Sequence, residues 1–287
     1  MILAEPEWQA RAAAHVARVR RWTGPYQERR SRGRKHPVHD FLFQYYPHRP
    51  AHLERWSPGP GVVLAGPAVR TFLERPGFHE TGEGVELEPF PTKRFATVRA
   101  LLVLLEATAS RAPRLNCFGL HEWAMVYRQP PAQVRHNQLP LRLGPGGTDT
   151  VVESLELRCG HYDAFRFFTP PARPRNALEP SRDQQADLEQ PGCLHANMDL
   201  YRAAFKLDPF VPSELVGDCF ELAVEIRELD MRAGPYDLSE LGYTPVRIET
   251  ARGRAEYARA QAEFAARAEP LRDRLIEQCR ALLTQGQ

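Results

Sequence analysis

Helical periodicity is the feature of this sequence that most restricts its fold. Between Ser213 and Arg232, apolar residues recur every three or four positions, so they fall on one face of a helix. Ser213 is a favourable residue for the start of that helix. Strand patterns that alternate with helices, as in a βαβ unit, are not seen. The apolar stripe consists of Leu215, Cys219, Leu222, Ile226 and Leu229.

Similar spacing recurs along most of the 287 residues, and we therefore expect a mainly α protein with a single domain, residues 1–287. The basic segment 1–35 is predicted to be a helix that is interrupted near Gly24-Pro25. The proline-rich segment 170–192 is the most loop-like part of the chain. We expect it to be a functional loop, since long loops inside a domain often carry function.

One β-hairpin is expected in the otherwise helical chain. Its strands are predicted at Leu139–Leu143 and Val151–Cys159, where β-branched and apolar residues gather. A glycine-rich turn, Gly144–Asp149, separates the two segments. The predicted fold class is therefore a single helical domain with one small β-hairpin.

Charge is weak overall but uneven along the chain. The formal net charge is +2, which is too small to select nucleic acid as a partner by itself. Residues 1–35 differ, because they hold nine basic residues against three acidic ones. Such a segment is typical of a solvated helix face or of contact with a phosphate backbone. If the protein acts on DNA, we expect phosphate contacts from Arg29, Arg30, Arg32 and Arg34.

The cysteine pattern and the apolar segments indicate a cytoplasmic protein. Five widely spaced cysteines without a C-x-x-C pair argue against a zinc ribbon or a disulfide framework. The first residues, Met-Ile-Leu-Ala-Glu, lack the pattern of a signal peptide. The longest apolar stretch, Ala100–Leu105, is too short to span a bilayer. We therefore expect no membrane partner, and the oligomeric state stays open.

Histidines stand beside carboxylates at spacings that suit a shared metal site. His161 and Asp163 point to the same side of an extended chain, and His195 and Asp199 share one face of a predicted helix, Leu194–Leu207. Imidazole and carboxylate are common ligands of iron and manganese. We predict that these four side chains converge as metal ligands, with iron, haem or non-haem, as the suspected cofactor. The alternative is that each pair is structural.

His121 and Glu122 are predicted to be catalytic. They are adjacent, so on a helix they project about 100° apart and cannot easily bind the same ion. One of them would then be functional and the other structural. If Glu122 is buried beside Trp123, its pKa would be raised, which suits a general acid or base.

Three arginines and a tyrosine are predicted to bind the substrate. Arg166 lies within a run of phenylalanines, which suits a planar or anionic ligand. Arg227 and Arg232 flank Asp230, shortly before Tyr236. This arginine–aspartate–arginine segment indicates either an internal ion network or a site for a carboxylate or phosphate. In a haem protein, the same arginines would pair with the propionates.

Five segments of the chain carry a resemblance to known sequences. They are KHPVHDFLFQYY, CFGLHEWAMVYR, CGHYDAFRFFT, QPGCLHANMDLYR and ELDMRAGPYDL. With them, nearly the whole chain resembles a bacterial family of about this length that bears the name 3-methyladenine DNA glycosylase. The resemblance implies removal of an alkylated base without metal. Such an enzyme needs a wedge, an aromatic cage and a water-activating carboxylate. Residues able to supply these are Tyr45, Tyr46, Trp123 and Glu122.

Several widespread catalytic motifs are missing from the sequence. It has no Gly-x-Gly-x-x-Gly after a strand, no P-loop, no Gly-x-Ser-x-Gly and no His-Glu-x-x-His. Three functions therefore stay open. The first is a metal-dependent oxidoreductase that acts on a small polar or aromatic substrate. The others are a DNA or nucleotide glycosylase, and a binding protein without catalytic activity.

Overall fold

The computed structural model describes residues 1–134 and 136–284. Most of these residues are helical, and the strands among them form one small sheet, so the predicted mainly α fold is confirmed. None of the described helices is apolar over a length that would cross a lipid bilayer.

The α-helices range from single turns to long rods. In chain order they are α1 (Glu5–Ser31), α2 (Phe41–Tyr45), α3 (Pro50–Leu53), α4 (Phe95–Ala109), α5 (Leu120–Ala124), α6 (Gly144–Ser154), α7 (Tyr162–Phe165), α8 (Gln185–Leu188), α9 (Leu194–Leu207), α10 (Ser213–Ala233) and α11 (Ala251–Thr284). Short 3₁₀ helices lie at Pro67–Phe72, Thr92–Arg94, Pro131–Gln133, Arg173–Arg175 and Ser239–Leu241.

The chain divides into two compact units, each made of separate stretches of sequence. The first unit contains residues 1–103, residues 200–221 and the chain from 271 onward. The second unit contains residues 104–199 and 222–270. The single domain expected over residues 1–287 stays a prediction.

The first unit contains a sheet of four short strands, β1 (Ile2–Leu3), β2 (Val63–Leu64), β3 (Phe78–Thr81) and β4 (Gly84–Leu87), in the order β1-β2-β4-β3. Strands β1 and β2 are parallel, and the other pairs are antiparallel. Strands β3 and β4 form a hairpin in which Phe78 lies opposite Leu87. Both of these side chains are buried, so the hairpin contributes to the core of the first unit.

Helix α1 runs without a break past Pro25, so the predicted interruption is wrong. Proline removes one helical hydrogen bond and costs about 3 kcal/mol in a helix interior. Contacts on both sides of the proline outweigh that cost. Val19 and Tyr26 are buried, and the Thr23 hydroxyl donates a hydrogen bond of 2.6 Å to Glu54.

The second unit packs around α5, all of whose residues are buried. The indole N–H of Trp123 donates to the Ala233 carbonyl oxygen at 2.8 Å. The guanidinium of Arg142 lies 5.2 Å from the centroid of the Trp123 ring and makes two hydrogen bonds of 2.8 Å to Glu249. These contacts hold α5 in place and therefore fix the neighbouring His121.

Helix α6 occupies the place of the predicted hairpin, so that position of the hairpin is wrong. Pro145 lies in the first turn of the helix, where proline is favoured because the missing N–H has no helical partner. The Thr148 hydroxyl donates to the Gly144 carbonyl oxygen at 2.7 Å. Val151 and Val152 are buried, so packing of one helix face outweighs the low helix propensity of the glycines.

The proline-rich segment 170–192 is mostly irregular, apart from α8 and the 3₁₀ turn at Arg173–Arg175. Asn176 ties it to the chain before α7. Its side chain accepts a hydrogen bond from the Cys159 N–H and donates to the Cys159 carbonyl oxygen, both at 2.8 Å. These bonds hold the segment in one place, where it can supply side chains to a site.

Gly84→Ala should destabilise the protein because Gly84 has a φ of 151°, and a Cβ there would overlap the Leu64 carbonyl of β2. We expect the free energy of unfolding to fall by about 1–3 kcal/mol, measured by urea denaturation. Gly82→Ala is the matched control, since its Cβ would meet no atom within 4 Å. Equal effects of the two substitutions would contradict the pairing of β2 with β4.

Candidate metal centre

Six side chains of the second unit form two groups of possible metal ligands. Within each group, the ligand atoms all lie within 4.8 Å of one another. The first ligand group consists of His121, His195 and Asp230. The second ligand group consists of His161, Glu189 and Asp199.

Three helices supply the first ligand group. His121 lies on α5, His195 at the start of α9, and Asp230 in the last turn of α10. The chain enters α5 through left-handed backbone at Phe118 and Gly119, with φ values of 47° and 71°. The packing of α5, α9 and α10 therefore sets the positions of the three ligand residues.

The closest atoms of the first ligand group have the geometry expected of two ligands of one cation. Nε2 of His121 lies 2.8 Å from Oδ1 of Asp230, so the two side chains form a buried ion pair when the ring is protonated. Two atoms that each lie about 2.1 Å from a cation, about 90° apart, are separated by about 3.0 Å. The two atoms are therefore close enough to share a metal ion.

The second ligand group is centred on His161, of which only 1% is exposed. Its Nε2 lies 3.3 Å from Oε1 of Glu189 and 3.3 Å from Oδ2 of Asp199. Glu189 comes from the segment 170–192, and its Oε1 also accepts a hydrogen bond of 2.6 Å from Gln185. One imidazole and two carboxylates thus converge from an irregular segment and a helix.

Stacked imidazole rings join the two ligand groups. The ring centroids of His161 and His195 lie 5.2 Å apart, with 28° between the ring planes. The His121 ring meets the His195 ring edge-on at 4.4 Å. Helix α9 contributes to both groups, because His195 points to the first and Asp199, four residues later, to the second. The two groups therefore adjoin one another.

Arg227 fixes the orientation of the Asp230 carboxylate. Its Nη1 donates to Oδ2 of Asp230 at 3.1 Å and to Oε1 of Glu122 at 2.7 Å. All three side chains are nine-tenths or more buried. Because Oδ2 is engaged by the guanidinium, Oδ1 faces His121. Residues that orient a metal ligand in this way commonly tune its affinity for the metal.

Burial and charge act in opposite directions on the pKa values of the first ligand group. Burial lowers the pKa of His121, but the Asp230 carboxylate outweighs it and the pKa is raised. Burial raises the pKa of Asp230, but His121 outweighs it and the pKa is lowered. Burial and the His121 ring hold the pKa of His195 well below its ordinary value. Asp230 is thus a carboxylate and His195 a neutral imidazole, the forms that bind metal, whereas the raised pKa of His121 favours a protonated ring that must lose its proton when a metal binds.

A cavity of about 220 Å³ adjoins both ligand groups, because His121, His195 and Glu189 are part of its lining. Three thiols and a phenol share that lining, those of Cys117, Cys159, Cys193 and Tyr257. Burial raises the pKa of all three thiols, that of Cys159 to about 12. The thiols are therefore protonated at neutral pH, and neither ligand group includes one.

The structure brings together three of the four predicted metal ligands. His161 and Asp199 belong to the second ligand group, and His195 belongs to the first. Asp163 lies instead against two arginines, 3.2 Å from Arg166 and 3.8 Å from Arg182. The prediction assumed an extended chain, but His161 immediately precedes α7 and Asp163 lies inside it. Side chains two residues apart at a helix start point away from each other.

The predicted catalytic pair has two different surroundings. His121 belongs to the first ligand group, while Glu122 forms an ion pair with Arg227 at 2.7 Å. Trp123 is fully buried, with its N–H engaged by a backbone carbonyl. His121 and Glu122 thus have different partners, and their catalytic roles stay a prediction.

All four predicted substrate-binding residues lie outside the cavity lining formed by the described residues, and they are Arg166, Arg227, Arg232 and Tyr236. The Arg166 guanidinium lies 4.3 Å from the centroid of the Phe167 ring. Arg232 donates through Nε to the Thr244 carbonyl oxygen at 2.9 Å. Tyr236 is buried beside a histidine ring. Their role in substrate binding stays a prediction.

The basic amino-terminal segment forms most of α1 and carries ion pairs. Arg29 lies 2.5 Å from Asp40, and Arg32 lies 3.0 Å from Glu28. Arg30 and Arg34 are exposed to solvent. The contact of these arginines with DNA phosphates stays a prediction.

Three of the six candidate ligands were not predicted as metal ligands from the sequence: His121, which was predicted to be catalytic, Asp230 and Glu189. Asp230 follows Ile226 by four residues, so it lies on the apolar face of α10, where a carboxylate needs partners. That position is a usable signal in the sequence. Glu189 lies in irregular backbone and carries no periodic signal, because only the path of the segment 170–192 brings it to His161.

Comparison with known proteins gives this chain no relative. No protein-family model, curated protein or solved structure matches it. The function is therefore inferred from the geometry and chemistry of the site.

Arg227→Met should destabilise the second unit strongly, because Glu122 and Asp230 would lose the buried guanidinium that they share. We expect a loss of about 3–5 kcal/mol in the free energy of unfolding, measured by urea denaturation. Arg267→Met is the matched control, since its pair with Glu225 is half-exposed and should cost at most about 1 kcal/mol. Similar losses for both variants would contradict the buried ion network.

Proposed function

We propose that the protein is a non-haem metalloenzyme, an iron-dependent oxidoreductase that acts on a small polar or aromatic substrate. The observation that carries this proposal is the convergence of three imidazoles and three carboxylates beside one cavity. In the proposal, each ligand group holds one divalent cation. Adjoining cations of this kind are common in enzymes.

The donor atoms favour iron or manganese over structural zinc. The first ligand group offers two imidazoles and one carboxylate, the set typical of non-haem iron sites with open positions. The second group offers one imidazole and two carboxylates, which also suits iron or manganese. Structural zinc sites in proteins are usually built from thiolates, alone or with histidine.

Catalysis is favoured over a structural role because, among the described residues, each ligand group offers three ligands. Three protein ligands leave coordination positions free, whereas a structural metal site is usually closed by four. The cavity reaches His121, His195 and Glu189, so a small molecule has access to those positions. Iron, when bound, supplies the one-electron chemistry. The protein holds the ligands, orients Asp230 through Arg227 and surrounds the reacting molecule.

The size of the cavity favours a non-haem centre. Its volume of about 220 Å³ is smaller than the roughly 300–1,000 Å³ of sites that bind drug-sized molecules, and haem is larger than those molecules. The glycosylase alternative draws no support from Glu122 and Trp123. Glu122 is paired with Arg227, and Trp123 is fully buried, so neither side chain is exposed to a flipped base.

Protein purified without chelator and supplied with iron(II) should contain close to two metal ions per chain, one for each ligand group. The measurement is elemental analysis by mass spectrometry. His195→Ala removes a ligand from the first group, and Asp199→Asn removes one from the second. Each substitution should lower the metal content by about one ion and also lower the oxygen consumption that a substrate elicits.

His79→Ala is the control for the metal analysis. His79 lies on β3 of the first unit and is half-exposed, so its removal should leave the metal content unchanged. Circular dichroism would show that all three variants keep their helices. A wild-type protein without bound metal, or with metal that neither His195→Ala nor Asp199→Asn reduces, would overturn the proposal.

A further inference from the structure

The cavity beside the ligand groups indicates which class of substrate the centre accepts. Its volume is about 220 Å³, below the roughly 300–1,000 Å³ of sites that bind drug-sized molecules. That space suits a molecule with one ring or a short branched chain.

The lining runs from exposed arginines to buried ligand residues. Arg114 and Arg158 are exposed to solvent, whereas His121 and Glu189 are only 5% and 3% exposed. Arg114 and Arg158 are therefore the exposed basic residues of the lining, and His121 and Glu189 are its buried ligand residues. A molecule that fills the cavity would present one end to the arginines and the other to the ligand groups.

Apolar side chains cover much of the wall between the two ends. The three thiols of the lining add small, weakly polar surface. Such a wall favours a hydrocarbon body, because burying apolar surface stabilises the complex. The apolar residues include Leu120, Leu157, Leu178, Leu188 and Leu194.

Charge favours an anion over a neutral molecule or a cation. Two divalent cations would bring four positive charges to the three carboxylates of the ligand groups, so a loaded centre has an excess of one. Arg158 pairs with Glu156 at 2.8 Å, but their side chains are 49% and 59% exposed. An ion pair that is so exposed contributes little, so the guanidinium can turn towards an incoming anion. Guanidinium groups match carboxylates with two parallel hydrogen bonds.

We propose that the cavity binds a small monocarboxylic acid with a compact apolar body. The carboxylate pairs with Arg158 and Arg114, the body packs against the leucines, and the far end faces the ligand groups. The chemistry at that far end rests on the proposed function. Recognition of the acid rests on the cavity lining and, through the charge of the loaded centre, on the proposed function.

Benzoate and benzamide test the proposal, because they share ring and size and differ in charge. Each is titrated calorimetrically into the iron(II)-loaded protein without oxygen, and metal content is measured on the same samples. We expect benzoate to bind at least about tenfold more tightly than benzamide, because its hydrogen bonds to guanidinium are charge-assisted.

Two substitutions locate the binding. Arg158→Leu should weaken benzoate about tenfold and leave benzamide unchanged, since it removes one guanidinium. Leu178→Trp should abolish binding of both molecules, because the larger side chain fills the cavity. Arg99→Leu is the control, since Arg99 is an exposed arginine of α4 outside the lining, and it should leave both affinities unchanged.

Benzoate that binds no more tightly than benzamide would overturn the proposal. So would benzoate binding that neither Arg158→Leu nor Leu178→Trp weakens. Because Arg158 is exposed, its substitution tests the proposal even if Leu178→Trp prevents folding. A protein that takes up no metal would refute the proposed function, but the comparison of benzoate with benzamide would still decide what the cavity binds.

Discussion

The buried ion network of Arg227, Glu122 and Asp230 is the interaction on which the rest of the site depends. Charged groups this deeply buried are tolerated only when each one is paired and hydrogen-bonded. The guanidinium meets that condition for both carboxylates through Nη1. It also leaves Oδ1 of Asp230 directed at His121. The same network thus keeps the second unit folded and sets the geometry of the first ligand group.

Helix α9 joins the first ligand group to the second. His195 and Asp199 stand four residues apart on α9, so one helix serves both ligand groups. His161 of the second ligand group stacks on His195 of the first, so the position of each group depends on the other. Irregular backbone completes the second group, since Glu189 comes from the segment that Asn176 ties to the chain before α7. The centre therefore combines rigid helices with one anchored loop.

Local patterns in the sequence predict the helices and part of the site. The boundaries of α9 and α10 follow from apolar periodicity, and the spacing of His195 and Asp199 follows from helix geometry. Tertiary packing decides the rest. Glycines at the start of α6 look like a turn, yet burial of Val151 and Val152 makes the segment helical.

Within the site, the role of Glu189 could not be predicted from local sequence patterns either. It depends on a long-range approach of irregular backbone to His161, which no local spacing encodes. Asp230 is different, because a carboxylate on the apolar face of α10 is visible in the sequence. Its role as a ligand still requires knowing that α5 brings His121 to the same place.

The central claim is that the two ligand groups bind metal, and anomalous diffraction tests it most directly. Crystals of the iron-loaded protein would be measured on both sides of the iron absorption edge. We predict two anomalous peaks, one among His121, His195 and Asp230 and the other among His161, Glu189 and Asp199. Each peak should lie about 2.0–2.3 Å from its ligand atoms. No peak in either group, or iron bound only at other residues, would contradict the account.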